Sequence, residues 1–150
     1  MEKFISHSQK DTFEFGKQLA RTCCGGEVFA LNGDLGAGKT CLSQGLAAGL
    51  KIKGPVNSPT FVIMKIYKVS GHKTINHFCH IDAYRITSAD DLEAIGATDY
   101  LGRADTVSVI EWAGQVRGIL PKKSIKIEIK HKNEDEREIK ISLDKTAKKI

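Results

Sequence analysis

The sequence predicts an α/β fold of three layers, with a mostly parallel central sheet extended by antiparallel strands. Three observations carry that reading. A short apolar run, Glu27-Val-Phe-Ala-Leu-Asn32, passes through a glycine-rich loop into a helical pattern at 39–50, the strand–loop–helix order of a βα unit. A second apolar run, Thr106-Val-Ser-Val-Ile110, has the composition of a strand buried on both faces. Two pairs of β-rich runs are each joined by a short polar turn, the arrangement of antiparallel hairpins.

Residues 9–24 place Phe13, Phe15, Leu19, Ala20 and Cys23 at helical spacing, with Thr12 as the expected cap. The strand at 27–32 runs into glycine. At 39–50, Leu42, Leu46, Ala47 and Leu50 share one helical face. The runs at 60–69 and 74–81 are rich in β-branched and aromatic residues, and Ser70-Gly71-His72-Lys73 between them reads as a hairpin turn. Ser88-Ala-Asp-Asp-Leu-Glu-Ala-Ile-Gly96 predicts a short helix capped by Ser88 or Thr87, with acids in its first turn. After the strand at 106–110, alternating runs at 124–130 and 137–143 flank Asn133-Glu-Asp-Glu136. They predict a second hairpin, half buried, with lysines and glutamates outward.

One hundred and fifty residues suit a single domain spanning 1–150. At 41% hydrophobic and 27% charged, the chain is neither disordered nor fibrous in composition. No run approaches the roughly 18 apolar residues of a membrane span, and the N-terminus has no apolar stretch of signal-peptide length. The four cysteines, Cys23, Cys24, Cys41 and Cys79, form no C-x-x-C pair, so neither a zinc site nor a disulfide framework follows. A cytoplasmic, reducing compartment is expected. Net charge is +5, but residues 121–150 hold nine Lys and one Arg against six acids and so carry most of it. Such a run is most often a solvated face, here the outward side of the second hairpin.

The strongest chemical signal is Gly33-Asp34-Leu35-Gly36-Ala37-Gly38-Lys39-Thr40, which fits the phosphate-binding pattern G-x-x-x-x-G-K-[ST]. Its glycines let the backbone curl so that successive N–H groups face phosphate oxygens. The helix that starts near Lys39 adds the positive end of its dipole. In this pattern Lys39 reaches the β and γ phosphates and the Thr40 hydroxyl binds Mg²⁺. A second metal ligand is expected at the end of another strand. Asp82, in His80-Ile-Asp82-Ala-Tyr84-Arg85, is the best candidate, although an aspartate there also suits a strand-end turn. Glu111 ends the run 106–110 and precedes the only tryptophan, Trp112, so it faces the ligand crevice of a parallel sheet. There it can orient or deprotonate a water. Thr60, in Ser58-Pro59-Thr60-Phe61, can offer a hydroxyl to Mg²⁺ or to the γ-phosphate, as switch loops do. His77 and His80 differ by an odd number and so point to opposite strand faces, against a His-ligated metal. No N-K-x-D motif is present, which disfavours guanine recognition.

With the P-loop at 33–40, Ser58-Pro59-Thr60-Phe61, His80-Ile-Asp82-Ala-Tyr84-Arg85 and Glu111-Trp112 in this order, the chain resembles the TsaE (YjeE) family from about residue 6 to residue 143. The resemblance implies a P-loop NTPase-like fold and an Mg²⁺-dependent ATPase supporting formation of N6-threonylcarbamoyladenosine in tRNA. It implies ATP/ADP and Mg²⁺ as cofactors and the TsaB–TsaD heterodimer as partner, with tRNA met through that complex and neither membrane nor DNA involved. Residue by residue, it implies that Gly33–Thr40 and Cys41 form the nucleotide cradle and that Lys39 binds phosphate. Thr40, Asp82 and Glu111 hold the metal, Thr60 is the switch-like threonine, Glu111 is the acid of hydrolysis and Trp112 lies near the nucleotide. No residue is a clear arginine finger; Arg85 and Arg103 are the candidates. Two rival readings keep the P-loop: a small-molecule kinase, and a nucleotide-gated binding module.

Overall fold

The computed structural model describes residues 2–57 and 63–143. Seven strands form one sheet in the order β1-β7-β6-β2-β5-β4-β3. They are β1 (Glu2–Ser6), β2 (Val28–Asn32), β3 (Met64–Lys68), β4 (His77–Asp82), β5 (Thr106–Glu111), β6 (Ile125–His131) and β7 (Arg137–Leu143). β2 runs parallel to both β5 and β6, and β5 runs parallel to β4. β3 is antiparallel to β4 on one side, while β7 and then β1 extend the other side antiparallel. This is the parallel core with antiparallel margins that the apolar and alternating runs predict.

Strand parity builds the layers, because successive side chains of a strand point to opposite faces. Phe29, Leu31, Val107, Val109 and Phe78 pack with Leu42, Leu46 and Ala47 of α2 (Lys39–Gly49) and with Ala20 of α1 (Gln9–Arg21). Val28, Ala30, Cys79, Ile81 and Ile110 face the opposite way. They meet Leu92 of α3 (Ala89–Ala94) and Val116 and Ile119 of a 3-10 segment at Ala113–Ile119. Side chains of the Leu, Ile and Phe type, fully buried as these are, contribute roughly 1.5–3 kcal/mol each. α1 and α2 cross in close contact: a Cβ on Gly16 would strike the Leu42 carbonyl, and one on Gly45 the Phe13 carbonyl. Cys23 and Cys79 serve as small core residues. Burial pushes both thiols up to about 12, so neither is a thiolate near neutral pH.

The second hairpin keeps Ile125, Ile127, Ile129, Ile139 and Ile141 against the core. Its outward side carries Glu138, which accepts from Lys3 at 2.6 Å and Lys140 at 3.0 Å. Those bonds hold its carboxyl down at about 2.

Several expectations need correction. Ser8, not Thr12, caps α1: its Oγ accepts the Asp11 N–H at 3.0 Å. Thr12 is instead buried and shares a hydrogen bond with Ser6 Oγ at 2.7 Å. α1 also stops at Arg21, short of Cys24. β1 was not expected, since two of the five residues in Glu2-Lys3-Phe4-Ile5-Ser6 are charged. Pairing with β7, which sets Phe4 opposite Ile139, orders it. β4 begins at His77 rather than 74 and runs on through Asp82. The 3-10 turns at Ala97–Asp99 and Ala113–Ile119 were likewise unanticipated. Ser88 takes the cap of α3, its Oγ accepting from the Asp90 N–H at 3.2 Å. No helix among the described residues is long and apolar enough to cross a membrane.

Candidate functional site

Three parallel strands deliver the predicted residues to one edge of the sheet. The loop Gly33–Gly38 follows β2, Glu111 closes β5, and Asp82 closes β4. Parallel register sets Glu111 opposite Leu31 on one side and opposite Asp82 on the other. This is the carboxyl edge where α/β sheets bind their ligands. A cavity of about 500 Å³ opens there, lined among others by Gly36, Lys39, Thr40, Asp82, Glu111 and Trp112.

The loop needs its glycines for different reasons. A Cβ on Gly33 would lie 2.5 Å from the Ile129 carbonyl, so the first residue is fixed by close approach of β6. Gly38 has φ 112°, a left-handed conformation that favours glycine, and it caps α2 without any side-chain bond. Gly38, having no side chain, offers the first-turn N–H groups of α2 no cap acceptor. Gly38, Lys39, Thr40 and Cys41 all line the cavity at that helix end, where an anion is favoured. Leu35 at the loop tip is 76% exposed, whereas Ala37 is buried. Cys41 donates its Sγ to the Gln9 carbonyl at 3.2 Å, and burial pushes its thiol up.

Lys39 is buried, and its Nζ donates to the carbonyls of Gly33 at 2.6 Å and Asp34 at 2.8 Å. It also lies 3.9 Å from the centre of the Trp112 ring, a cation–π contact. Burial lowers its pKa, and Glu111, Asp82 and Asp34 act against that shift. Trp112 itself adopts φ 59° and ψ 38°, a left-handed conformation costing a bulky residue roughly 1–3 kcal/mol. The turn that follows is pinned by the Gly114 N–H, which donates to Asn32 Oδ1 at 2.7 Å. The indole packs 5.0 Å from the Tyr84 ring.

Glu111 is 2% exposed, and both of its oxygens are engaged. Oε2 accepts from Thr40 Oγ1 at 2.9 Å, and Oε1 lies 2.7 Å from His80 Nε2. Asp82 Oδ1 accepts the Tyr84 N–H at 3.0 Å, so the strand-end turn and the place in the cavity coexist. A hydroxyl and two carboxylates are hard oxygen donors. Mg²⁺ is commonly held by one or two carboxylates with phosphate oxygens completing its shell, and Thr40, Asp82 and Glu111 fit that role. Among the described residues, no group of three or more His, Cys, Asp or Glu could hold a metal ion. Thr60 lies outside the described residues.

Two residues of the site escaped the motif reading. Arg137, on β7, is buried beside the loop; its Nε donates to the Ala37 carbonyl at 3.0 Å and the residue lines the cavity. The signal for it is an arginine at the inward position of the series 137, 139, 141. The other is His80, whose parity with Phe78 puts it on the α2 side of the sheet. His77 points the opposite way, towards Tyr100, as its odd spacing requires. Of the two arginine candidates, Arg85 lines the cavity, whereas Arg103 pairs with Asp105 at 2.8 Å and is not part of it.

A family model described as "Threonylcarbamoyl adenosine biosynthesis protein TsaE" matches residues 6–139. Among curated relatives, the tRNA threonylcarbamoyladenosine biosynthesis protein TsaE of Treponema pallidum is 36% identical over 138 residues, 92% of this chain and 98% of that protein. The Bacillus subtilis protein of that name is 37% identical over 137 residues, 91% of this chain and 82% of its own length. The Haemophilus influenzae protein is 42% identical over 99 residues, a match spanning 66% of this chain and 60% of that protein. The crystal structure of Bacillus subtilis YdiB superposes with a TM-score of 0.78 at 31% identity, covering 97% of this chain and 86% of that one.

Proposed function

The chain belongs to the TsaE family of tRNA threonylcarbamoyladenosine biosynthesis, and from that premise we propose that it is a Mg²⁺-dependent ATPase working with a TsaB–TsaD heterodimer in the cytoplasm. The observation that carries the reading is the convergence of Lys39 and Thr40 with Asp82 and Glu111 in one cavity at the carboxyl edge of a parallel sheet. Cation and anion-binding loop stand on one side, and metal-type oxygens stand on the other. Phosphoryl transfer asks for that pairing and for little covalent chemistry from the protein.

In this reading the loop Gly33–Gly38, Lys39 and Cys41 cradle the nucleotide, with Arg137 adding positive charge behind Ala37. Thr40 and Asp82 would hold Mg²⁺, with Glu111 joining them through a water, and the bound cation would neutralise the phosphate oxygens. Glu111 aligns the attacking water and takes up its proton. As the water oxygen bonds to the γ-phosphorus, the bridging bond to the β-phosphate breaks, leaving ADP and phosphate. Thr60, by the family resemblance, would offer its hydroxyl to Mg²⁺ or to the γ-phosphate. Trp112 walls the cavity over Lys39, and tRNA is met through the partner complex.

Phosphate release from Mg·ATP tests the proposal, measured with and without TsaB–TsaD beside Lys39→Ala and Glu111→Gln. We expect turnover well under about 1 s⁻¹ for the chain alone, the lower range of complete phosphoryl-transfer enzymes. Partners should accelerate it, and either substitution should remove all but a residual rate. Free turnover above that rate, or phosphate arriving on an acceptor instead of in solution, contradicts the reading.

A further inference from the structure

We propose that His80 is a positioning residue for hydrolysis, holding the Glu111 carboxylate in its working orientation without itself reaching the nucleotide. The inference rests on the hydrolytic reading above and deepens it.

His80 is fully buried on β4, and it does not line the cavity. Its nearest β5 partner in register is Val109, so the ring reaches one step along the sheet to meet Glu111 Oε1 at 2.7 Å. Its other nitrogen, Nδ1, is buried and has no hydrogen-bond partner among the described residues. A buried imidazole with one orphaned nitrogen is costly where an apolar side chain of similar volume would have filled the space for less. The bond to Glu111 is what the position gains in exchange.

The two bonds to Glu111 are not equivalent. Thr40 Oγ1 holds Oε2, yet in the proposed function that hydroxyl is claimed by Mg²⁺. Once Thr40 turns away, His80 is the side chain that still fixes Glu111, leaving Oε2 directed toward the cavity where a water would sit. A carboxylate clamped at one oxygen presents the other in a set direction, and pre-set geometry is where a catalytic base gains its effect. The role requires only an N–H on Nε2.

The test compares wild type with His80→Leu, His80→Gln, Glu111→Gln and the Glu111→Gln/His80→Leu double variant, using Mg·ATP turnover and calorimetric binding of ADP in EDTA. His80→Leu should lower kcat at least tenfold, while KM and metal-free ADP affinity stay within about twofold. His80→Gln, whose amide can donate to the same oxygen, should recover kcat to within about threefold of wild type. The double variant should be no slower than Glu111→Gln alone, since residues acting as a unit are not additive. A crystal structure of the wild-type ADP·Mg complex adds a reading that needs no variant: the His80–Glu111 bond persists while the Thr40–Glu111 bond is gone. Unchanged kcat in His80→Leu, no recovery in His80→Gln, or Glu111 released from His80 in that complex overturns the assignment. A wild-type chain that releases no phosphate even with its partners overturns the hydrolytic reading, and this inference with it.

Discussion

Arg137 ties the far end of the chain to the phosphate-type loop, and that tie has a measurable worth. The residue is 6% exposed, with Nε donating to the Ala37 carbonyl at 3.0 Å and Nη1 to the Asp135 carbonyl at 3.1 Å. A buried bond from a charged donor contributes roughly 1.5–3 kcal/mol, and the partly exposed one roughly 0.5–1.5 kcal/mol. Replacing Arg137 by Met keeps the aliphatic stem but removes both bonds. It also relieves the cost of burying a cation, which offsets part of the loss. The net expectation is a destabilisation of about 1–3 kcal/mol, or about 3–10 °C in melting temperature for a chain of this size. Thermal unfolding of the nucleotide-free protein followed by circular dichroism reads it directly. Arg103→Met is the control, because the Arg103–Asp105 pair is half exposed and such pairs contribute under about 1 kcal/mol. Equal melting temperatures for Arg137→Met and wild type would refute the argument that this contact braces the loop.

Two further outcomes follow from packing and charge. Gly45→Ala drives a Cβ into the Phe13 carbonyl of α1; overpacking of this kind costs about 1–3 kcal/mol or more, and an unchanged urea midpoint would show that the helices separate freely. Glu138 is held at about 2, well below its ordinary 4.5, so its contribution is fully present above about pH 4.5 and is lost as pH falls toward 2. The melting-temperature gap between wild type and Glu138→Gln should therefore be constant at higher pH, narrow below about 4.5 and close near 2; a gap that ignores pH would contradict the network drawn around Lys3 and Lys140.

The central strands were legible because burial on both faces leaves its mark in composition: Val28-Phe-Ala-Leu31 and Thr106-Val-Ser-Val-Ile110 have no room for charge. β1 was not, because its order comes from pairing with a strand more than 130 residues away. The 3-10 segment after Trp112 is set by tertiary contact, with Gly114 tied to Asn32 across the sheet edge. At the site, Lys39, Thr40, Asp82 and Glu111 were reached through motif and strand-end logic, and the parallel register of β2, β5 and β4 assembles them. The same parity argument that set His77 and His80 on opposite faces could not say which of them shares a face with Glu111. What it lacked was the cross-strand register that makes His80 and Glu111 neighbours. Arg137 was hidden for a similar reason: the alternation of its half-buried strand puts it at an inward position, but only the fold brings that position beside the loop.

The central claim, that Gly33–Thr40 with Asp82 and Glu111 forms a metal-dependent nucleotide site, is tested most directly by calorimetric titration with a non-hydrolysable ATP analogue, with and without Mg²⁺. The account predicts one site per chain, tightened by Mg²⁺ in the wild type, and affinity reduced at least tenfold in Lys39→Ala. Equal binding by wild type and Lys39→Ala, or no binding by either, would contradict it.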